Sequence, residues 1–181
     1  MSAKKIVLGV GGSIACFKAA ELASRLVQDG FDLSVVMTAH AAEFVTPLTF
    51  QTLSKNPVTT GIFDEKESWH PGHIALADSA DLLLIAPATA NTIAKLACGI
   101  ADDALTSIAL ATPAPVLIAP AMNGKMWLHP ATRENTEKLK SRGVRFIGPA
   151  EGLLACGYEG VGRLWDVAEI AAEARAILSK A

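Results

Sequence analysis

The apolar positions of the chain fall into short dense runs separated by amphipathic stretches. Lys5 to Val10, Asp32 to Met37, Asp81 to Ala86, Val116 to Ala119 and Val144 to Ile147 are rich in Val, Ile and Leu. The third run is almost continuously apolar, as a strand covered on both faces must be. Between the runs the period changes. Ile14, Phe17, Leu22 and Leu26 recur at helical spacing, with Ser13 as the predicted cap. The pattern further predicts two short helices within Ala41 to Ser54 and another after His73. Alanine-rich helices follow over Ile93 to Cys98 and Ala101 to Ala111, separated by Gly99. A polar-faced helix over Thr132 to Ser141 ends at Gly143, and a last one, Val167 to Leu178, starts at Asp166 and packs Ile170, Ala174 and Ile177. Strand and helix alternate throughout, which implies an α/β fold: a Rossmann-like (flavodoxin-like) doubly wound parallel sheet in three αβα layers, one domain over 1–181.

Two segments stand outside this rhythm. Asn56 to Gly72 is a long loop of turn residues and charge, and long loops in compact domains tend to be functional. Gly148 to Arg163 holds five glycines and little periodicity, so it reads as a flap mobile enough to fold over a ligand.

Composition narrows the function classes. At 181 residues, 51% hydrophobic and 19% charged, the chain suits one compact core. A net charge of −2 with no basic block gives a poor match to a nucleic acid backbone. Three cysteines, Cys16, Cys98 and Cys156, form no CxxC pair and cannot all pair within the chain. That suits a reducing, cytoplasmic setting. Cys98 is expected to pack as a small hydrophobe. No apolar run reaches membrane-spanning length, and the glycines after Leu8 interrupt any signal-like start.

The candidate chemistry lies at the ends of the apolar runs, where open α/β sheets bind ligands. Gly11-Gly12-Ser13 after the first run is a glycine turn opening a helix, a place for a phosphate or simply a tight turn. It is not the dinucleotide fingerprint, because Ile14 stands at the third glycine position and the next strand ends in Thr38 without an acid. NAD is disfavoured and a mononucleotide fits better. Pro87 to Thr92 reads as a small-residue loop shaped for close backbone approach. In Pro120-Ala121-Met122-Asn123, the amide of Asn123 sits where a buried strand breaks, although taken alone, beside Gly124, it reads as a turn residue. His73 and Cys156 complete the set. His73 taken alone is an ordinary polar residue.

Taken together, Gly12-Ser13, His73-Ile74-Ala75-Leu76, Pro87 to Thr92, Pro120 to Asn123 and Ala155-Cys156-Gly157 through Arg163 resemble one family's motifs in order. This is the homo-oligomeric flavin-containing cysteine decarboxylase family, and within it the branch acting on phosphopantothenoylcysteine in coenzyme A biosynthesis. Thr89 replaces the family's serine but keeps the hydroxyl. The resemblance implies FMN, held by Gly12, Ser13, Thr38, Phe44, Pro87, Ala88, Thr89 and Ala90 with Ala121 alongside. It implies a site completed across a subunit interface of trimers, often packed into dodecamers. Met122, Asn123 and Ala155 would touch substrate.

The implied reaction oxidises the substrate's cysteinyl carbon and sulfur to a thioaldehyde, which can accept the electrons left by departing carbon dioxide. The enethiolate is then reduced back. His73 would act as the base, since imidazole titrates near neutrality. Asn123 would hold the carboxylate without adding charge. Cys156 would be the acid, as a thiol is mostly protonated at neutral pH. The nearest rivals are a peptidyl-cysteine decarboxylase of the same family and a non-catalytic FMN-binding regulatory relative. In many bacteria such a domain is fused to a synthetase that makes its substrate.

Overall fold

The computed structural model describes residues 3–62 and 72–180. Six strands among them form one parallel sheet: β1 (Lys5–Val10), β2 (Asp32–Met37), β3 (Val58–Thr59), β4 (Leu82–Ala88), β5 (Val116–Pro120) and β6 (Arg145–Phe146), in the order β3-β2-β1-β4-β5-β6. The connecting helices are α1 (Cys16–Gln28), α2 (Ala39–Ala42), α3 (Pro47–Ser54), α4 (Gly72–Ser79), α5 (Ala90–Cys98), α6 (Ala104–Ala111), α7 (Gly124–Leu128) and α8 (Pro130–Ser141). A two-stranded antiparallel hairpin, β7 (Ala150–Leu153) and β8 (Glu159–Arg163), precedes the final helix α9 (Val167–Leu178). No described helix is long and apolar enough to cross a membrane.

The apolar run of β4 divides its side chains between two cores. Leu82, Leu84 and Ala86 face one with α1, α3 and α9, where Leu22, Phe50 and Ile170 are fully buried. Leu83, Ile85 and Ala88 face the other with α4, α5, α6 and α8, through Ala77, Ile93, Ile108 and Leu139. Successive strand residues point to opposite faces, so a sheet covered twice needs apolar residues at both phases. The chain winds one way from β1 to β3 and the other way from β4 to β6. The two halves part between β1 and β4, which opens a crevice at the carboxyl ends of those strands.

Several expectations need correction. Ser13 does not cap α1: its Oγ accepts the Ala15 N–H at 3.3 Å, and the helix begins at Cys16 after Ala15. The glycine turn thus adds a turn of chain before the helix. Ile14 and Phe17, two of the apolar positions that recur at helical spacing, are 57% and 62% exposed. The true buried stripe is Ala19, Leu22, Ala23 and Leu26. Pro87 to Thr92 is not a loop: β4 continues through Ala88 and Thr89 caps α5 directly, accepting the Thr92 N–H at 3.2 Å. Cys98 is exposed, because Ile93 and Ala97 take the inward positions of α5 and leave its neighbour turned outward.

Within the loop expected from Asn56 to Gly72, residues 63–71 lie outside the described residues, and Val58–Thr59 adds an edge strand. Asn56 fixes that strand by donating to the Leu33 carbonyl at 2.9 Å. The segment read as a flap of little periodicity contains regular structure. It is a paired hairpin whose positive-φ glycines, Gly152 and Gly162, occupy backbone that side chains rarely adopt.

The hairpin docks on the chain after β5 by direct backbone contact. Met122 N–H donates to the Gly162 carbonyl at 2.9 Å. A Cβ on Gly124 would stand 2.7 Å from the Val161 carbonyl, and one on Gly162 would collide with the Met122 carbonyl. Gly162→Ala therefore meets both a clash and a forbidden φ, a strain of about 1–3 kcal/mol. It should raise the rate of limited proteolysis between 150 and 163 roughly tenfold or more while far-UV circular dichroism stays unchanged. Parent-like cleavage would show that the glycine contact does not hold the hairpin.

Candidate active site

The crevice between β1 and β4 encloses about 660 Å³, within the usual range for a small-molecule site. Its floor exists because of two glycines. Gly11 N–H donates to the Pro87 carbonyl at 2.9 Å, and a Cβ there would stand 2.7 Å from the same oxygen. A Cβ on Gly12 would run into His40. Only a bare backbone threads between the end of β4 and α2.

Polar and apolar groups converge on this space. Ser13, Thr38 and Thr89 bring hydroxyls, while Phe44, Ala121, Met122 and Met126 supply apolar surface. Thr38 caps α2 through the Ala41 N–H at 3.2 Å. Thr89 accepts the Thr92 N–H, and the earlier amides of α5, like the first amides of any helix, have no intrahelical partners, which favours an anion there. Of the residues expected to hold a cofactor, Gly12, Ser13, Thr38, Phe44, Thr89 and Ala121 line the crevice. Pro87, Ala88 and Ala90 are absent from that lining; the first two contribute backbone as the end of β4, and Ala90 opens α5. The combination suits a flat, partly apolar group carrying a phosphate.

Sequence reading missed Lys95 and Asp103, which also line the crevice. Lys95 bonds Asp102 at 2.6 Å and Asp103 at 3.3 Å. The Asp102 bond foremost holds its ammonium above the ordinary lysine range. The spacing from a helix residue to an acid pair at its far end was the available signal.

A second cavity of about 550 Å³ opens beside the first and shares Ser13, Ala121 and Met122 with it. Ile14, Phe17, Leu153 and Leu154 line it, and its charged side chains are Lys18 and Arg163. The outward turn of Ile14 and Phe17 thus has a local explanation: they form a wall. In the wall of this second cavity, next to the shared Met122, stands Asn123, held as the cap of α7 by accepting the Lys125 N–H at 2.9 Å. Its Nδ2 donates to Cys156 Sγ at 3.2 Å. Its Oδ1 also accepts from the Tyr158 hydroxyl at 2.9 Å, a contact the sequence reading missed although Tyr158 lies two residues beyond Cys156. Met122, Asn123, Ala155 and Cys156, the other expected substrate and catalytic positions, all line this second cavity.

His73 is placed apart from them. It lies in the first turn of α4, on the sheet face opposite α1, and lines neither cavity. Its Nδ1 is enclosed and has no hydrogen-bond partner among the described residues. Cys16, by contrast, is structural. Its Sγ donates to the Gly11 carbonyl at 3.0 Å, and burial pushes its thiol above the ordinary range. No group of three or more metal-binding side chains occurs among the described residues.

The flavoprotein family model matches residues 1–179. The chain is 53% identical over 161 residues to the coenzyme A biosynthesis bifunctional protein CoaBC of Bacillus subtilis (strain 168), covering 89% of this chain and 40% of that protein. It therefore spans about two fifths of the length of that relative. A probable phosphopantothenoylcysteine decarboxylase of Streptococcus mutans is 49% identical over 166 residues, covering 91% of this chain and 93% of the relative. Among solved structures, a cysteine-to-serine mutant of PPC decarboxylase complexed with pantothenoylaminoethenethiol superposes with a TM-score of 0.87 at 31% identity, covering 98% of this chain and 99% of the other. Motif order, sheet topology and these likenesses agree: the chain belongs to the flavoprotein family.

Proposed function

We propose that this chain is an FMN-dependent decarboxylase that converts phosphopantothenoylcysteine to phosphopantetheine in coenzyme A biosynthesis. The observation that carries the reading is the Asn123–Cys156 contact in the wall of the second cavity, which adjoins the crevice through Ser13, Ala121 and Met122. The names of the Streptococcus mutans relative and the PPC decarboxylase neighbour support it. Gly12, Ser13, Thr38, Phe44, Thr89 and Ala121 would hold FMN in the larger cavity. Bound FMN would supply the oxidation at the substrate's cysteinyl carbon and sulfur and return the electrons after carbon dioxide leaves.

The chain's own groups would do the rest. Asn123 directs a neutral donor at the substrate carboxylate, so it orients the group without the extra stabilisation a cation would give the ground state. The Cys156 thiol, in contact with the same amide, is placed to protonate the carbon that lost its carboxylate. Lys18 and Arg163 face the second cavity as counter-charges for the substrate phosphate, and Ile14, Phe17 and Leu153 offer apolar surface to its dimethyl segment. His73, the base, lines neither cavity of its own chain, and its enclosed Nδ1 lacks a partner among the described residues. Both facts support a site shared between copies in a homo-oligomer, with His73 reaching a neighbour's substrate. Trimers, alone or packed into dodecamers, would provide that arrangement.

The direct test is a visible spectrum of the purified protein together with mass spectrometry of phosphopantothenoylcysteine before and after incubation. Flavin absorbance and loss of one carbon dioxide per molecule are expected. A colourless protein that leaves the substrate intact even with added FMN would remove the proposal. Cys156→Ser should bind FMN and release carbon dioxide, yet accumulate an oxidised product lacking the pair of hydrogens that phosphopantetheine carries. Normal turnover by that variant would take Cys156 out of the chemistry.

Shared sites predict complementation. His73→Ala and Asn123→Ala should each lose a hundredfold or more in turnover, on the order expected for general acid–base and positioning groups. Co-expressed, they should regain activity, because mixed oligomers contain sites with both residues intact. Co-expressed oligomers as inactive as the single variants would place His73 and Asn123 in one subunit's site.

A further inference from the structure

We infer that Tyr158 is a positioning residue that fixes which face of the Asn123 amide meets the substrate, and this rests on the reaction proposed above. A primary amide can turn over by half a revolution, exchanging its donor for its acceptor with little change in shape. Only the donor side can bind a carboxylate. What decides the orientation is therefore part of the chemistry.

Asn123 is held from both sides of its oxygen. The Lys125 backbone N–H donates to Oδ1 at 2.9 Å, and the Tyr158 hydroxyl donates to the same atom at 2.9 Å. A carbonyl oxygen has two lone pairs, so these donors saturate it. The NH2 group is left with one hydrogen directed at Cys156 Sγ, 3.2 Å away, and one without a protein acceptor among the described residues. Turning the amide over would break both bonds to Oδ1 and set an N–H against two other donors. The free hydrogen is the one available to a ligand in the adjoining cavity.

Tyr158 is itself set by its surroundings. Its carbonyl accepts the Leu154 N–H at 2.9 Å, closing the turn of the hairpin. Its ring packs over Gly160, 3.5 Å from where a Cβ there would stand, an ordinary contact distance. Cys156 and Tyr158 ride on the same hairpin, and both bond Asn123. The docked hairpin thus carries both the thiol and the group that orients the amide.

Tyr158→Phe keeps the ring and removes only the hydroxyl. Steady-state kinetics on phosphopantothenoylcysteine, with phosphopantetheine as competing product, separates positioning from structure. The two molecules differ by the carboxylate that Asn123 would orient. The variant should lose about tenfold in kcat/KM, the usual scale for one hydrogen bond. Its inhibition constant for phosphopantetheine, FMN content and melting temperature should match the parent's. An unchanged kcat/KM, or equal losses for substrate and product, would overturn the inference. Turnover by the parent enzyme decides the reaction separately, and a parent without turnover on this substrate takes the inference down with it.

Discussion

The hydrogen bond from Met122 N–H to the Gly162 carbonyl, made where glycines let backbone lie on backbone, is the contact on which the candidate site depends. It brings Asn123 and Cys156 together although much of the chain's last third separates them. Closing a segment of that length costs roughly 3–4 kcal/mol of chain entropy, whereas one hydrogen bond returns about 1 kcal/mol. The tie therefore cannot assemble the site unaided. Helix α8, packed against α5, and strand β6, paired to β5, carry the chain back to the same sheet edge first. The hairpin then needs only a short step.

The crevice next to that tie follows from the sheet's winding. Because β1 and β4 are neighbours whose chains depart in opposite directions, the turns leaving them cannot cover the space between. Gly11 and Gly12 make the β1 turn thin enough to pass under Pro87 and beside His40. A side chain at either position would collide with the Pro87 carbonyl or with His40. The two cavities share Ser13, Ala121 and Met122, so a molecule in one lies within reach of a molecule in the other.

Much of this was legible from residues alone. The dense apolar runs marked the strands of the sheet except the short edge strand at Val58, which is too brief to show a period. Asp166 and Gly143 marked helix ends where the structure has them. The departures have separate local causes. Ile14 and Phe17 satisfied a helical period, but apolar residues at a ligand edge look like core residues in a sequence. Cys98 looked like a core position because its helix is rich in small residues, and only the rotation of α5 set by Ile93 and Ala97 turned it out. The flap's glycines read as a lack of periodicity, and the structure adds that one of them, Gly162, allows close backbone approach.

The sequence by itself determined the order of the main strands and helices, the two-sided sheet and the chemical inventory at the strand ends, since period, caps and turn residues act locally. It also placed Asn123 and Cys156 among the residues of interest. Only the tertiary structure decided which of them touch. Tyr158 joined Asn123, while His73 went to the opposite face of the sheet and away from both cavities. Contact between distant residues depends on how whole elements cross and dock, and that geometry has no period for a linear pattern to record.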